Sequence, residues 1–146
     1  AIYCAWRQAR LPSEIEWEFA ASGIENFLFP WGNEFDGSRV NFCDTNCLFV
    51  NGANTIWDDE FSQIAPVYSF QSGRSWLGLF NMSGNVAEWT STIVTTENEA
   101  TESRVVKGGS YLSFGDEVTT WSRLVLVASA NLDEIGFRCA RTFLEN

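Results

Sequence analysis

A chain of 146 residues carrying a formal charge of −10, with one lysine, eight arginines and no histidine, suits one domain with a real core. Its acidity repels phosphate backbones and anionic lipid surfaces, which makes nucleic acid and membrane poor partners, and it favours hard cations bound through oxygen. The missing imidazole excludes a His-based triad, an imidazole general base and any His-bearing zinc or non-haem iron site.

In chain order, Ile2-Tyr3-Cys4-Ala5-Trp6-Arg7 reads as the last turns of a helix. A second helix opens at Arg10-Leu11-Pro12-Ser13-Glu14, with Pro12 in its first turn and Glu14 and Glu16 at the positive end of the dipole. Ile15 and Phe19 share one face, and Gly23 is the stop. Beyond Gly23, short apolar pieces are punctuated by Gly, Asn, Asp and Ser. Strands are predicted over Ala65–Phe70, Ala87–Ile93, Arg104–Lys107, Ser122–Ala128 and Gly136–Thr142. The apolar run Leu124–Ala128 has strand length, and no segment approaches the roughly 20 apolar residues a membrane helix needs. Thr95–Ser103, polar and acidic, reads as a surface loop. Most of the seven tryptophans are expected in the core, with Trp76 or Trp121 available to anchor a partner.

Four cysteines, Cys4, Cys43, Cys47 and Cys139, allow three pairings if all are bridged. The C-x3-C spacing of Cys43 and Cys47 is not that of a zinc finger, and no second pair or histidine completes four ligands. The even count points to an oxidising compartment, periplasmic or secreted.

Seven motifs follow one another in a specific order: Arg10-Leu11-Pro12-Ser13-Glu14-x-Glu16-Trp17-Glu18, Pro30-Trp31-Gly32, Asn41-Phe42-Cys43-Asp44, Ala65-Pro66-Val67, Asn81-Met82-Ser83-Gly84-Asn85-Val86-Ala87-Glu88-Trp89-Thr90, Lys107-Gly108-Gly109-Ser110-Tyr111, and Gly136-Phe137-Arg138-Cys139-Ala140-Arg141. Across nearly its whole length the chain thereby resembles the formylglycine-generating-enzyme (sulfatase-modifying-factor) family. That resemblance implies an α+β, C-type-lectin-like variant fold with two short helices, short antiparallel strands and long irregular loops. It also implies that residues 1–146 form one such domain, the C-terminal portion of the usual family domain.

The loop from Asn81 to Glu88 combines amide and carboxylate oxygens with a glycine that lets carbonyls turn inward, a donor set suited to calcium. The resemblance assigns the ligands as the Asn81 and Glu88 side chains with the Gly84 and Val86 carbonyls. The competing reading is a turn at Gly84-Asn85 with Glu88 paired to an arginine. Asn81-Met82-Ser83 is also formally a glycosylation sequon, silent if the loop is buried. A second calcium site is implied at the Asn41 and Asp59 side chains with the Phe42 and Phe61 carbonyls. Against it stands the reading of Asp58-Asp59-Glu60 as a solvated acidic turn. The resemblance further implies a Cys4–Cys139 disulfide, worth roughly 4–5 kcal/mol in the chain-entropy model. Cys43 and Cys47 either bridge locally or hold copper(I).

The departures decide the function. Family enzymes carry two copper-binding cysteines after Gly-Gly-Ser-Tyr, and those places are Ser113 and Val118 here. Arg123 is retained, but the apolar run after it replaces a polar pocket wall. The expectation is a non-catalytic, calcium-stabilised domain that takes no copper or iron and binds a protein partner or joins a larger complex. Two alternatives stand beside it: an oxidoreductase whose missing residues lie on another segment or subunit, and a ligand-display domain with Leu112–Glu134 as its variable face.

Overall fold

The computed structural model describes residues 1–47, 53–95 and 101–142. Helix α1 spans Ile2–Trp6 and α2 spans Glu14–Ser22. Single 3-10 turns follow at Gly37–Arg39 and Gln71–Gly73. The strands are β1 (Ala87–Val94), β2 (Ser103–Lys107), β3 (Arg123–Val127) and β4 (Ile135–Phe137). They form one sheet in the order β3-β2-β1-β4, with β1–β2 and β2–β3 antiparallel and β1–β4 parallel. A register shift between Trp89 and Ile93 marks a bulge in β1.

Helix α2 begins two residues beyond Pro12, which therefore is not in its first turn. Ser13 is the N-cap: its Oγ accepts the Glu16 N–H at 3.2 Å, while Glu16 Oε2 accepts the Ser13 N–H at 2.8 Å. This reciprocal capping box satisfies two otherwise orphaned donors and leaves Pro12 outside the helix. The Pro12 carbonyl instead accepts the Ser91 N–H, and the Glu14 N–H donates to Thr92 Oγ1, both at 2.8 Å, so the helix start is fixed on β1. Gly23 caps the other end, as expected.

The buried face of α2 is Trp17 and Ala21, not Ile15 and Phe19, which are 81% and 47% exposed. Ile15 and Phe19 do share one face, and it is the outer one. Trp17 has the larger apolar area to bury and an indole N–H that finds a partner on β1, so it turns inward. Trp17, Ala21 and Met82 form one core cluster, with Ala20 and Leu79 against it. Lys107 at the end of β2 is fully buried and ties the sheet to α2 through Glu18, at 2.9 Å.

The second core cluster contains almost no regular structure. Phe29, Val40, Phe42 and Val118 pack with Leu28, Trp31, Phe35 and Trp57, so aromatic burial orders the long connections. Of the seven tryptophans only Trp17 is fully buried, and Trp6, Trp76 and Trp121 are exposed. The expectation that most are core therefore fails, although Trp76 and Trp121 are accessible as foreseen.

Three predicted strands survive with shifts of a residue or so at their ends. Gly136–Thr142 shrinks to Ile135–Phe137, followed by an isolated antiparallel bridge between Ala140 and Arg10. Ala65–Phe70 is not a strand. Pro66 removes a ladder donor, and the Asn85 side chain binds the Ala65 backbone in place of a neighbouring strand. Residues 96–100 of the predicted Thr95–Ser103 loop lie outside the described residues. No described helix is long and apolar enough to cross a membrane.

Candidate functional site

The Asn81–Glu88 loop lies between the two cores and turns on three residues with positive φ: Asn81 (51°), Gly84 (65°) and Asn85 (62°). At Gly84 glycine is required twice over, because an added Cβ would also lie 2.1 Å from the Asn41 carbonyl oxygen. Asn85 is buried and acts as a hub. Its Oδ1 accepts from the Ala65 N–H at 2.8 Å and from Asn41 Nδ2 at 3.0 Å, and its own N–H donates to the Asn41 carbonyl at 2.8 Å.

The Glu88 carboxylate at the loop's end is buried and already compensated. Oε2 accepts from Trp17 Nε1 at 2.7 Å and from Arg138 Nε, and Oε1 accepts from Arg138 Nη2 at 2.8 Å. Arg138 Nη2 also donates to the Phe80 and Asn81 carbonyls at 2.9 and 3.3 Å. The Asn81 side chain turns its Nδ2 to the Val67 carbonyl at 2.9 Å. The arginine pairing of Glu88 is thus realised, and a cation at this loop would have to share the carboxylate with Arg138. The residues at Asn81, Gly84, Val86 and Glu88 fit calcium only with that sharing.

The second predicted site is different. Asn41 is fully buried; its Nδ2 donates to the Gln63 carbonyl at 2.8 Å, but its Oδ1 has no hydrogen-bond partner. An orphaned buried amide oxygen costs about 1–3 kcal/mol unless something binds it. The next residue, Phe42, donates its N–H to Asp59 Oδ2 at 3.2 Å, and Asp59 Oδ1 accepts the Phe61 N–H at 2.8 Å. Asp59 is buried rather than part of a solvated turn, whereas its neighbours Asp58 and Glu60 are exposed. Burial, reinforced by the nearby Asp44 charge, pushes the Asp59 carboxyl up to about 6, although the Phe61 and Phe42 N–H groups pull the other way. Asn41, Phe42, Asp59 and Phe61 fit a hard cation, because the site has an unpaired oxygen and a carboxylate without an arginine or lysine.

The structure joins Cys4 to Cys139, and Cys43 to Cys47. The local bridge is the alternative realised, so these sulfurs are no thiolate clip. It also lies nearer the family's redox position than its place in the sequence suggests: the Cys43 N–H donates to the Ser113 carbonyl at 2.9 Å. Ser113 Oγ accepts the Ser110 N–H at 3.1 Å, and Val118 is buried in the aromatic core. An open cleft of about 590 Å³ lies beside this segment, walled by Phe29, Phe35 and Phe114, with Asp116 its one ionisable lining residue among the described residues. Arg123 is held by Glu14 at 2.7 Å, and the apolar run after it forms the edge strand β3.

Residues 1–143 match the family model described as a sulfatase-modifying factor enzyme 1-like domain. The chain belongs to the formylglycine-generating-enzyme family. It is 36% identical over 144 residues to the inactive C-alpha-formylglycine-generating enzyme 2 of Mus musculus, a match covering 94% of this chain and 44% of that protein. It is 34% identical over 157 residues to the formylglycine-generating enzyme of the same species, covering 97% of this chain and 41% of the enzyme. The chain therefore spans less than half the length of these relatives. PvdO from Pseudomonas aeruginosa superposes with a TM-score of 0.72 at 21% identity, over 93% of this chain and 56% of that one. The fold is accordingly the α+β, C-type-lectin-like variant of this family.

Three contributors were not assigned roles from the sequence. Arg138, Trp17 and Asp44 each stand within one of the ordered motifs, but nothing in their spacing gives them a role. The Ser13-x-x-Glu16 pattern was a legible signal for the helix start. Nothing local announced the pairing of Arg138 with Glu88 across 50 residues of chain.

Proposed function

We propose that this domain is a non-catalytic, calcium-stabilised member of its family, working outside the cytoplasm as an interaction module or structural subunit of a larger assembly. The observation that carries the first part is the state of its sulfurs. All four cysteines are paired, and Ser113 and Val118 stand where the resemblance places the copper thiolates. Copper(I) requires soft donors; a serine hydroxyl is hard and a valine offers none. The mouse relative named as inactive supports the same reading.

Calcium would be held by Asn41 Oδ1, the Phe42 and Phe61 carbonyls and the Asp59 carboxylate. The Asn81–Glu88 loop would serve as a further site with Glu88 shared. Bound there, the ion supplies charge compensation and cross-links irregular loops. Two disulfides favour an oxidising compartment. Exposed Trp76 and Trp121 are suited to anchoring a protein partner.

The decisive experiment incubates the chain with oxygen, copper and a peptide containing Cys-x-Pro-x-Arg. The peptide is expected back unchanged. Formylglycine above a no-protein control would refute the non-catalytic reading. Formylglycine only after adding a companion segment or subunit would instead identify a split oxidoreductase. Metal analysis of the purified chain is expected to find calcium.

A further inference from the structure

Calcium takes six to eight oxygen ligands, yet Asn41, Phe42, Asp59 and Phe61 supply one each in the simplest arrangement. A fifth donor stands beside them in the loop that separates the two halves of the site. Asp44 is fully buried, and its Oδ2 accepts the Asp59 N–H at 2.5 Å. Its Oδ1 accepts the Asn46 N–H at 2.8 Å. Each of these two acids therefore uses two of roughly four acceptor positions on backbone N–H groups and retains capacity for a cation.

No arginine or lysine reaches either acid: the six ion pairs among the described residues use Glu14, Glu16, Glu18, Asp36, Glu88 and Glu102. Burying one carboxylate without a counter-charge is costly, and two in contact are worse, since low dielectric strengthens their repulsion. The unpartnered, buried Asn41 Oδ1, on the residue next to the Phe42 amide that Asp59 binds, is an independent sign that a ligand belongs here. Two carboxylates together match the charge of one divalent ion.

The loop carrying Asp44 is unusually constrained. The Cys43–Cys47 bridge closes around it. The Cys43 carbonyl accepts the Asn54 N–H at 3.2 Å, and the Thr45 N–H donates to the Trp57 carbonyl at 3.3 Å. Asp44 is thus fixed against the segment that carries Asp59 before any ion arrives, and ligands fixed in advance bind metal more tightly than mobile ones.

We propose that Asp44 is a second carboxylate ligand of the Asn41–Asp59 calcium site, held in place by the Cys43–Cys47 disulfide. This rests on the calcium reading given above for that site.

The test is calorimetric titration of the oxidised chain with calcium chloride, alongside melting curves with and without calcium. The expected result is that Asp59→Asn abolishes one binding event. Asp44→Asn should weaken the same event by about tenfold or more. Cys43→Ser with Cys47→Ser, which removes no oxygen, should weaken it in the same direction. Without calcium, Asp44→Asn relieves one of two buried charges but also loses one of the two backbone acceptors, so the diagnostic readout is the calcium-induced rise in melting temperature, which should shrink. A wild-type chain that binds no calcium sinks the underlying reading and this proposal with it. Calcium binding that is lost in Asp59→Asn but unchanged in Asp44→Asn overturns the role of Asp44 alone. A lower calcium-free melting temperature with an undiminished calcium-induced rise would make Asp44 merely structural and also overturn it. Unchanged affinity in the double serine variant removes the disulfide from the proposal.

Discussion

Replacing Arg138 by methionine should be among the most damaging single changes outside the hydrophobic core. The substitution keeps much of the apolar stem but removes the charge that meets both oxygens of buried Glu88. It also strips the Phe80 and Asn81 carbonyls of their shared donor. Only Trp17 Nε1 would remain on the carboxylate, at 2.7 Å. Breaking a buried ion pair from one side costs about 3–5 kcal/mol, because the surviving charge stays desolvated. For a chain of this size that lowers the melting temperature by about 10 °C. Glu88→Gln combined with Arg138→Met should cost much less than the sum of the two single changes, since the double variant leaves no unpaired charge. Melting curves of the four proteins in chelator measure the coupling. A loss below about 1 kcal/mol for Arg138→Met, or additive losses in the double variant, would show that the pair is solvated and the argument from burial mistaken.

Asp59 makes calcium-free stability pH-dependent. Its carboxyl is raised to about 6 in the folded state, above the ordinary value near 4, so its contribution is fully present below about pH 4 and lost as pH rises through about 6. Asp59→Asn in chelator should flatten that part of the stability curve; parallel curves for the two proteins would remove Asp59 as the cause. Gly84→Ala should cost about 2–4 kcal/mol, read by denaturant unfolding, because φ is 65° and the new Cβ would meet the Asn41 carbonyl. Cys4→Ser should cost about 4–5 kcal/mol in the chain-entropy model, since the bridge spans 135 residues of sequence. Protease should then cut first near α1, and an unaltered melting temperature would contradict the assignment.

Much of the architecture was readable because it rests on short-range signals. Gly23 stops α2, β-branched runs form β1 and β2, and the ordered motifs identify the family. The buried face of α2 is not legible in the sequence, because spacing alone cannot tell an inner pair from an outer one. The choice was made by Trp17, whose indole reaches Glu88 on the sheet, 71 residues away. Ala65–Phe70 looked like a strand because its residues suit one, but its backbone partner is the Asn85 side chain, which leaves no trace in periodicity. The cysteines were legible as a count and in part as pairs. Their consequence was not: that Cys43 and Cys47 fix an acid against Asp59 depends on how the loop folds back.

The two buried acidic positions show how this sequence treats the same electrostatic problem in two ways. At Glu88 the chain supplies its own cation, and Arg138 reaches both carboxylate oxygens as well as two carbonyls of the loop. At Asp44 and Asp59 no basic side chain among the described residues does so, and the orphaned Asn41 oxygen lies in the same stretch of chain. An internal guanidinium is always present, whereas an external ion comes and goes with its concentration. On the proposed reading, calcium removal should therefore act unevenly. The sheet, Trp17 and the Asn81–Glu88 loop keep their internal compensation, while residues 41–47 and 53–61, held by aromatic packing and one small disulfide, lose their counter-charge. Hydrogen exchange in chelator should then rise first at the Phe42, Asp59 and Phe61 amides, with the β1–β2 amides following only near global unfolding. Simultaneous loss of protection in both regions would mean that the two sites share one cooperative unit and that calcium, if bound, stabilises the whole domain equally.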